Sequence, residues 1–454
     1  MKRIHNFYFL ALIFLCVQCN SPKKDMQCCK KENDSLRKVF DTEFLNLLHA
    51  WYPASIDSVD GGFLCDFSYD WKPDGAQQKM VVAEARHVWT CSKAFMKLKD
   101  STYLKLAKHG YECLKNQMWD KKYGGFYMLL DKQGNILKDS YTDEKRAYGN
   151  TFAIYALAAY FEASKDTSAL ILANETFLWL EKHSHDAKNK GYFDLMTRNG
   201  DLWNKSNYQS KTGDAPRAMY KDYNSSIHLL EAFTDLYKVS KDSLVKVRLQ
   251  EMFELVRDKF VYKDGYLILH FTQDWKPISY RDSTEKTRNE FSYYDHVSFG
   301  HDVETAFLML EAADALGIPK DAKTITVAKS LVDHTIKTAW DSVYGGIYYE
   351  GYYLKNQSKI TIINKEKCWW AEAEMLQALL CMSKLFPDEP QYRELFIKQW
   401  NYCKKYLIDP KHGGWYFVGT DYRPEEVKNP KASYWKVNYH DGRALMNCSE
   451  RICQ

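Results

Sequence analysis

One short motif, a glycine followed by a large apolar or aromatic residue, recurs six times along the chain. It reads Gly61-Gly62-Phe63, Gly124-Gly125-Phe126, Gly191-Tyr192-Phe193, Gly265-Tyr266-Leu267, Gly345-Gly346-Ile347 and Gly413-Gly414-Trp415. Measured between the glycines that precede the large residue, the spacings are 63, 66, 74, 81 and 68 residues. Recurrence at near-constant spacing is the mark of a repeat architecture. Each copy leads into an alternating stretch such as Phe126-Tyr127-Met128-Leu129, which reads as a short strand or hairpin after a glycine turn.

Between the copies lie pairs of helical patterns: 150–165 with 168–183, 224–241 with 242–260, and 301–316 with 322–338. Within them apolar residues return at three and four positions, as in Ile227, Leu230, Phe233 and Leu236. A first helix over 35–51 and a last over 440–453 bring the expected total to about twelve. Six pairs predict an all-α fold, a closed six-fold double-helical toroid, with the hairpins on one rim. An open solenoid is the alternative. Closure is favoured because helical patterns at the two ends can pair, and it leaves a central concavity for a ligand. One domain is expected, 35–454.

The composition excludes several classes. Gly and Pro are 32 of 454 residues, too few for a collagen-like or low-complexity chain. The net charge is +4, two of it in Lys2 and Arg3, so nothing points to nucleic acid. Tyr (33), Phe (23) and Trp (13) are numerous, which suits a large core and equally a cleft where rings stack on sugar faces.

Lys2-Arg3 and the apolar run Phe7–Val17 read as a secretory signal peptide, 1–19. Eleven residues are too few to span a bilayer. Cys19 at its end is a candidate lipid-attachment cysteine, and 20–34 reads as a polar tether. The expectation is an exported protein, periplasmic or on the outer membrane, that meets a membrane only through a lipid at Cys19. Eight further cysteines, Cys65 to Cys453, show neither a CxxC pair nor regular spacing and read as buried thiols.

The starts of the first helices of each pair carry polar residues that the core does not need. They are Arg86 with Trp89, Tyr148 with Asn150, Asn224 with His228, His301 with Glu304, Trp369-Trp370 with Glu374, and His440 with Arg443. Spacings of three and four put each pair on one helix face. In a toroid these positions converge on the axis. Three histidines and two glutamates could also hold a metal, but there is no HExxH-type spacing, and no metal is assigned. No P-loop, dinucleotide fingerprint or GxSxG elbow occurs, and no cofactor is expected.

Taken together these segments resemble the N-acylglucosamine 2-epimerase superfamily, most of all its cellobiose 2-epimerase branch. The resemblance rests on Glu84–Trp89, Tyr148–Ala153, Asn224–Phe233, Ser298–Glu304, Trp369–Glu374 and Trp435–Arg443. It departs at Ser226, where the family usually has a histidine, and at Phe307, where it usually has a tryptophan. The resemblance implies a six-fold α/α barrel and cofactor-free inversion of C2 at the reducing end of a sugar such as cellobiose or mannobiose. It implies His301 and His440 as the acid/base pair and Arg86 as the cation on the oxyanion. It further implies His228 and Glu304 as aids to ring opening, and Tyr148, Asn224, Trp369, Trp370, Glu374 and Trp435 as sugar contacts. The expected partner is a mono- or oligosaccharide. Alternatives on the same scaffold are an N-acylglucosamine 2-epimerase and an aldose–ketose isomerase. A glycoside hydrolase using Glu304 and Glu374, and a non-catalytic glycan-binding lipoprotein, are more distant.

Overall fold

In a computed structural model, residues 22–137, 144–203 and 219–452 are described, with side chains from residue 32. The expected signal segment and Cys19 lie outside them. Thirteen helices are described: α1 (Pro22–Trp51), α2 (Val81–Leu98), α3 (Ser101–Cys113), α4 (Ala147–Ser164), α5 (Thr167–His183), α6 (Tyr223–Ser240), α7 (Ser243–Leu255), α8 (Glu285–Phe291), α9 (Phe299–Ala315), α10 (Ala322–Ala339), α11 (Trp369–Leu385), α12 (Gln391–Tyr402) and α13 (His440–Ile452). The thirteenth over the expected twelve is α8, an insertion in the longest repeat. The helix α1 starts thirteen residues before Ser35, so from Pro22 the stretch read as a tether is helical. Lys, Glu, Gln and Met are good helix formers, and Pro is tolerated at a helix's first position.

The inner ring is α2, α4, α6, α9, α11 and α13, and the outer ring is α3, α5, α7, α10, α12 and α1. The sixth pair is made from the two ends of the chain, with α1 packed on α13. The circle closes where Thr90 Oγ1 of α2 reaches the carbonyl of Asn438 (3.4 Å) and Lys97 Nζ reaches Ser449 Oγ of α13 (3.0 Å). Inner helices are buried on every face: Ala147 to Tyr160 of α4 is an unbroken buried run. Four of the outer helices begin on aspartate caps, Asp100, Asp166, Asp242 and Asp321, whose side chains accept backbone N–H groups of the first turn.

Inner helices are tied down by the rim hairpins on both sides. The first N–H of four of them is taken by the next hairpin: Val81 N to Met128 O, Ala147 N to Asp194 O, Tyr223 N to Leu269 O and Trp369 N to Phe417 O, at 2.8–3.1 Å. Three residues further in, a side chain accepts the N–H of the preceding hairpin: Glu84 from Phe63, Asn150 from Phe126, Asp302 from Leu267 and Glu372 from Ile347. Two-residue strands run across these joints, antiparallel, as in β1 (Lys79–Met80) with β2 (Leu129–Leu130). Each glycine turn also closes a hairpin within its own repeat, as expected, with bridges such as Ile56 to Phe63 and Trp119 to Phe126; the pairing between successive repeats is additional. Gly62 shows why the turn needs glycine: its φ is +67°, and a Cβ there would sit 2.7 Å from the Glu84 carboxylate.

Below five of the six turns lies a buried ion pair that the sequence reading missed. Lys79, Lys145, Lys221, Lys367 and Lys431 bind Asp57, Asp120, Asp186, Asp341 and Asp409 at 3.1, 3.0, 2.9, 2.7 and 2.6 Å. Each aspartate stands five residues before the second glycine position of its turn. The described cysteines, Cys65 to Cys448, are free and mostly buried, as expected; Cys453 lies outside the described residues.

Candidate active site

The clamped N-terminal turns of the inner helices surround a cavity of ≈ 310 Å³ at the hairpin end of the barrel. Ten of the eleven side chains to which the resemblance gives a role line it: Arg86, Tyr148, Asn224, His228, His301, Glu304, Trp369, Trp370, Trp435 and His440. Glu374 lies one layer beneath, hydrogen-bonded to His440. Tyr349, Cys368 and Phe417 complete the wall and were not anticipated. Tyr349 and Phe417 come from hairpins, whose alternating aromatics read equally well as core.

All three histidines are anchored in the same way. Nδ1 of His301 meets Ser298 Oγ at 2.7 Å and Tyr223 OH at 3.1 Å. Nδ1 of His440 meets Glu374 Oε1 at 2.6 Å, and Nδ1 of His228 meets Glu231 Oε2 at 2.9 Å. Each ring thus has only Nε2 left to offer the cavity. The helices α9 and α13, which carry His301 and His440, flank α11, and its Trp370 ring touches both histidines, with centroids 4.5 and 5.7 Å away. Burial holds both imidazoles well below the ordinary histidine value; for His440 the cations Arg86 and Arg443 add to it.

Arg86 has no carboxylate partner among the described residues. Its guanidinium donates to the Trp435 carbonyl (3.1 Å) and Tyr148 OH (3.3 Å) and lies over the rings of Phe152 and Tyr439, at 4.6 and 5.2 Å. A buried cation without a counter-ion is prepared for a ligand that brings negative charge. Trp435 stands at the mouth with 45% of its surface exposed, an open ring face over a buried site. The Asn224 side chain makes no hydrogen bond among the described residues.

Arg443 forms the floor. Its guanidinium binds Glu231, Tyr439 OH (2.6 Å), Glu304 (2.5 Å) and Glu374 (2.8 Å). Burial raises the Glu374 carboxyl well above the carboxylate range against the pull of Arg443, with Glu304 adding to the rise. Glu231 is held at about 2: Arg443 and His228 outweigh its burial. Ligand atoms of Glu304, Glu374 and His440 lie within 4.8 Å of one another, a spacing that could hold a metal ion. The guanidinium already occupies those carboxylates, so the donor set suits a cation of the protein's own. The same arrangement disfavours a hydrolase pair. Glu304 and Glu374 share one arginine on one side of the cavity, whereas glycosidic cleavage needs carboxyls about 5–9.5 Å apart across the bond.

Comparison with known proteins agrees with this geometry. The profile of N-acylglucosamine 2-epimerase (GlcNAc 2-epimerase) matches residues 61–440. A cellobiose 2-epimerase of Ruminococcus albus is 31% identical over 398 residues, covering 87% of this chain and 93% of its own. One from Bacteroides fragilis is 29% identical over 401 residues, covering 87% and 94%. The solved structure of cellobiose 2-epimerase from Spirochaeta thermophila superposes with a TM-score of 0.79 at 27% identity, over 93% of this chain and 98% of that one. Fold and site together define a carbohydrate epimerase or isomerase built on a closed α/α toroid. Within that class, the chain belongs to the N-acylglucosamine 2-epimerase family.

Proposed function

We propose that the protein inverts C2 at the reducing end of a disaccharide such as cellobiose. The observation that carries this reading is the pair of Nδ1-anchored histidines, from two different helices, beside an arginine without a counter-ion. C2–H is acidic only in the open-chain aldehyde, so the ring opens first. Glu304, whose Oε2 has no partner, and Nε2 of His228 serve that step by moving protons at the sugar oxygens. His301 keeps its proton on Nδ1 and donates it as a hydrogen bond to the Ser298 hydroxyl, which leaves Nε2 as the base for C2–H. Charge that develops on O1 and O2 of the cis-enediolate falls against Arg86. Glu374 keeps its proton and hydrogen-bonds it to Nδ1 of His440, so Nε2–H of His440 faces the cavity as the acid. When Nε2–H passes to the opposite face of C2, the Glu374 proton moves to Nδ1. The new carboxylate is then held by Arg443. The reverse reaction exchanges the roles.

The test is NMR in heavy water with cellobiose. A new diastereomer carrying deuterium at C2 is expected. A 2-ketose product would make the protein an aldose–ketose isomerase, monosaccharides would make it a hydrolase, and an unchanged spectrum would overturn catalysis on this sugar. N-acetylglucosamine run in parallel distinguishes the other epimerase specificity.

We also propose export with a lipid at Cys19, supported by Lys2-Arg3 and the apolar run before it. Radiolabelled palmitate should enter the wild type and not Cys19→Ser; equal labelling of the two would refute the anchor.

A further inference from the structure

The fourth hairpin breaks the pattern of the other five, and a cavity lies where it breaks. In the first repeat Ile56 bridges Phe63, and Asp57 N donates to Gly62 O at 3.1 Å. In the fourth, Val261 bridges Leu267, and Tyr262 N donates to Tyr266 O at 2.8 Å. This turn is one residue shorter, Tyr262 takes the place of the aspartate, and Tyr266 takes the place of the second glycine. The lysine is missing too. Lys79, Lys145, Lys221 and Lys367 each stand two residues before an inner helix, and at that position before α9 stands Val297. With both charges gone, a cavity of ≈ 160 Å³ remains, lined by Tyr262, Tyr266, Val297, Tyr353, Arg281 and Asp295 among others.

The vacated place keeps an aromatic wall. In four of the other repeats the ammonium lies over rings, as Lys221 over Trp275 at 4.8 Å and Lys431 over Tyr416 at 4.4 Å. Here Tyr266 stacks with Tyr353 at 5.1 Å and meets Tyr262 at 5.1 Å. The polar groups divide clearly. Asp295 is already taken by Tyr352 OH (2.8 Å), Ser279 Oγ (2.8 Å) and Tyr280 N (2.5 Å). Arg281 makes no ion pair among the described residues, only one long bond of 3.5 Å to the Leu354 carbonyl. Its charge repels a cation, and three phenol rings are a poor bed for a bare inorganic anion. A pyranose suits both features: its C–H face stacks on the rings, and its oxygens accept from Arg281. The volume is below the ~300 Å³ of a drug-sized site, which limits the occupant to one ring.

We propose that this cavity is a second carbohydrate-binding site, taking a single pyranose ring outside the catalytic cavity. It adjoins the catalytic cavity through shared strands. Val297 precedes Ser298, the partner of His301, and Tyr353 is four residues beyond Tyr349, or ~13 Å at ~3.3 Å per residue. The proposal rests on reading the protein as a sugar enzyme, and its test separates the two. Ile268 and Ile278 line the cavity, so their δ1-methyl signals in isotope-labelled protein report on it. Cellobiose should shift both signals saturably. In Arg281→Ala the midpoint should rise about tenfold, the loss of one charged hydrogen bond, with kcat unchanged. A second variant, Tyr262→Asp with Val297→Lys, rebuilds the ion pair in the cavity and should abolish the shifts. Signals that stay still while C2 deuteration proceeds would overturn the second site alone. So would shifts that are equal in wild type and both variants. Shifts without any C2 exchange would instead count against the catalytic reading.

Discussion

At the scale of single residues the site divides into groups that meet the substrate and groups that set their protonation. His301→Ala and His440→Ala should each reduce kcat by about a thousandfold, within the range of a positioned acid or base, with unchanged far-UV circular dichroism. Retention of a tenth of the activity by either would remove that histidine from the pair. Arg86 tests the charge on O1 and O2. Lysine keeps the charge and loses the planar fork, so Arg86→Lys should melt normally, hold its KM and lose about a hundredfold in kcat. Early melting with normal turnover of the folded fraction would make Arg86 a scaffold residue. The pH dependence follows from the direction of the histidine shifts. Burial depresses His301, so the imidazole stays neutral below the usual ~6.5 and the acid limb of kcat/KM should lie below that value. His87, buried against Tyr52 and Phe63, is depressed to about 3. Its stabilising contribution is complete above pH ~6.5 and is lost as pH falls toward 3, because the unfolded chain takes up the proton first. A denaturation midpoint that falls over this window, and falls less in His87→Phe, would show it. The histidines, Arg86 and the tryptophans were legible because each is odd for a helix start. Arg443 and Glu231 were harder to see. Arg443 was noted only as a neighbour of His440, and Glu231 reads like an ordinary helix residue; their role appears only when α6, α9, α11 and α13 are brought together.

At the scale of elements, the hairpin is the unit that aims each inner helix. Its aspartate caps its own turn: Asp120 Oδ1 accepts from Lys122 N at 3.0 Å and Tyr123 N at 3.3 Å, while Oδ2 holds Lys145 from the next helix's lead-in. Burial and the carboxylate pull Lys145 in opposite directions, and burial prevails, leaving it at about 8; Asp120 is held far below its usual range by Arg198 and Lys145. Asp120→Ala strands the Lys145 charge in the interior and should cost about 3–5 kcal/mol in denaturant unfolding. Lys145→Met should cost less, because Arg198 still pairs with Asp120 at 2.9 Å. The double variant should cost less than the sum of the two, because neither charge is then left alone. Equal and additive costs would mean that the pair is not coupled. The aspartate five residues before the glycine was visible in five of the six repeats. It went unread because an isolated Asp near a turn has a sufficient local explanation as a turn residue.

At the scale of the molecule, periodicity foretold six pairs, and helix positions agree to within a few residues. For example, 224–241 was expected and Tyr223–Ser240 is observed. What periodicity could not reveal is the clamping of each helix by hairpins from two repeats. That is a matter of backbone groups, which carry no sequence label. The start of α1 was missed because charged residues without an apolar stripe look like a linker.

The pairing of α1 with α13 has a temporal side. Residues 51 and 440, the facing ends of the two helices, are 389 positions apart. At ~5–20 residues per second of synthesis, α1 leaves the ribosome roughly 20–80 s before its partner exists. Throughout that interval Phe40, Phe44, Leu47, Leu48 and Trp51, all buried in the finished ring, have no α13 to cover them. A nascent chain stalled before His440 should accordingly be cut by protease within α1, and release of the full chain should protect the same bonds. The ring is thus sealed by its last helix, and until then its first helix is the segment most open to chaperones and to other unfinished copies of the chain.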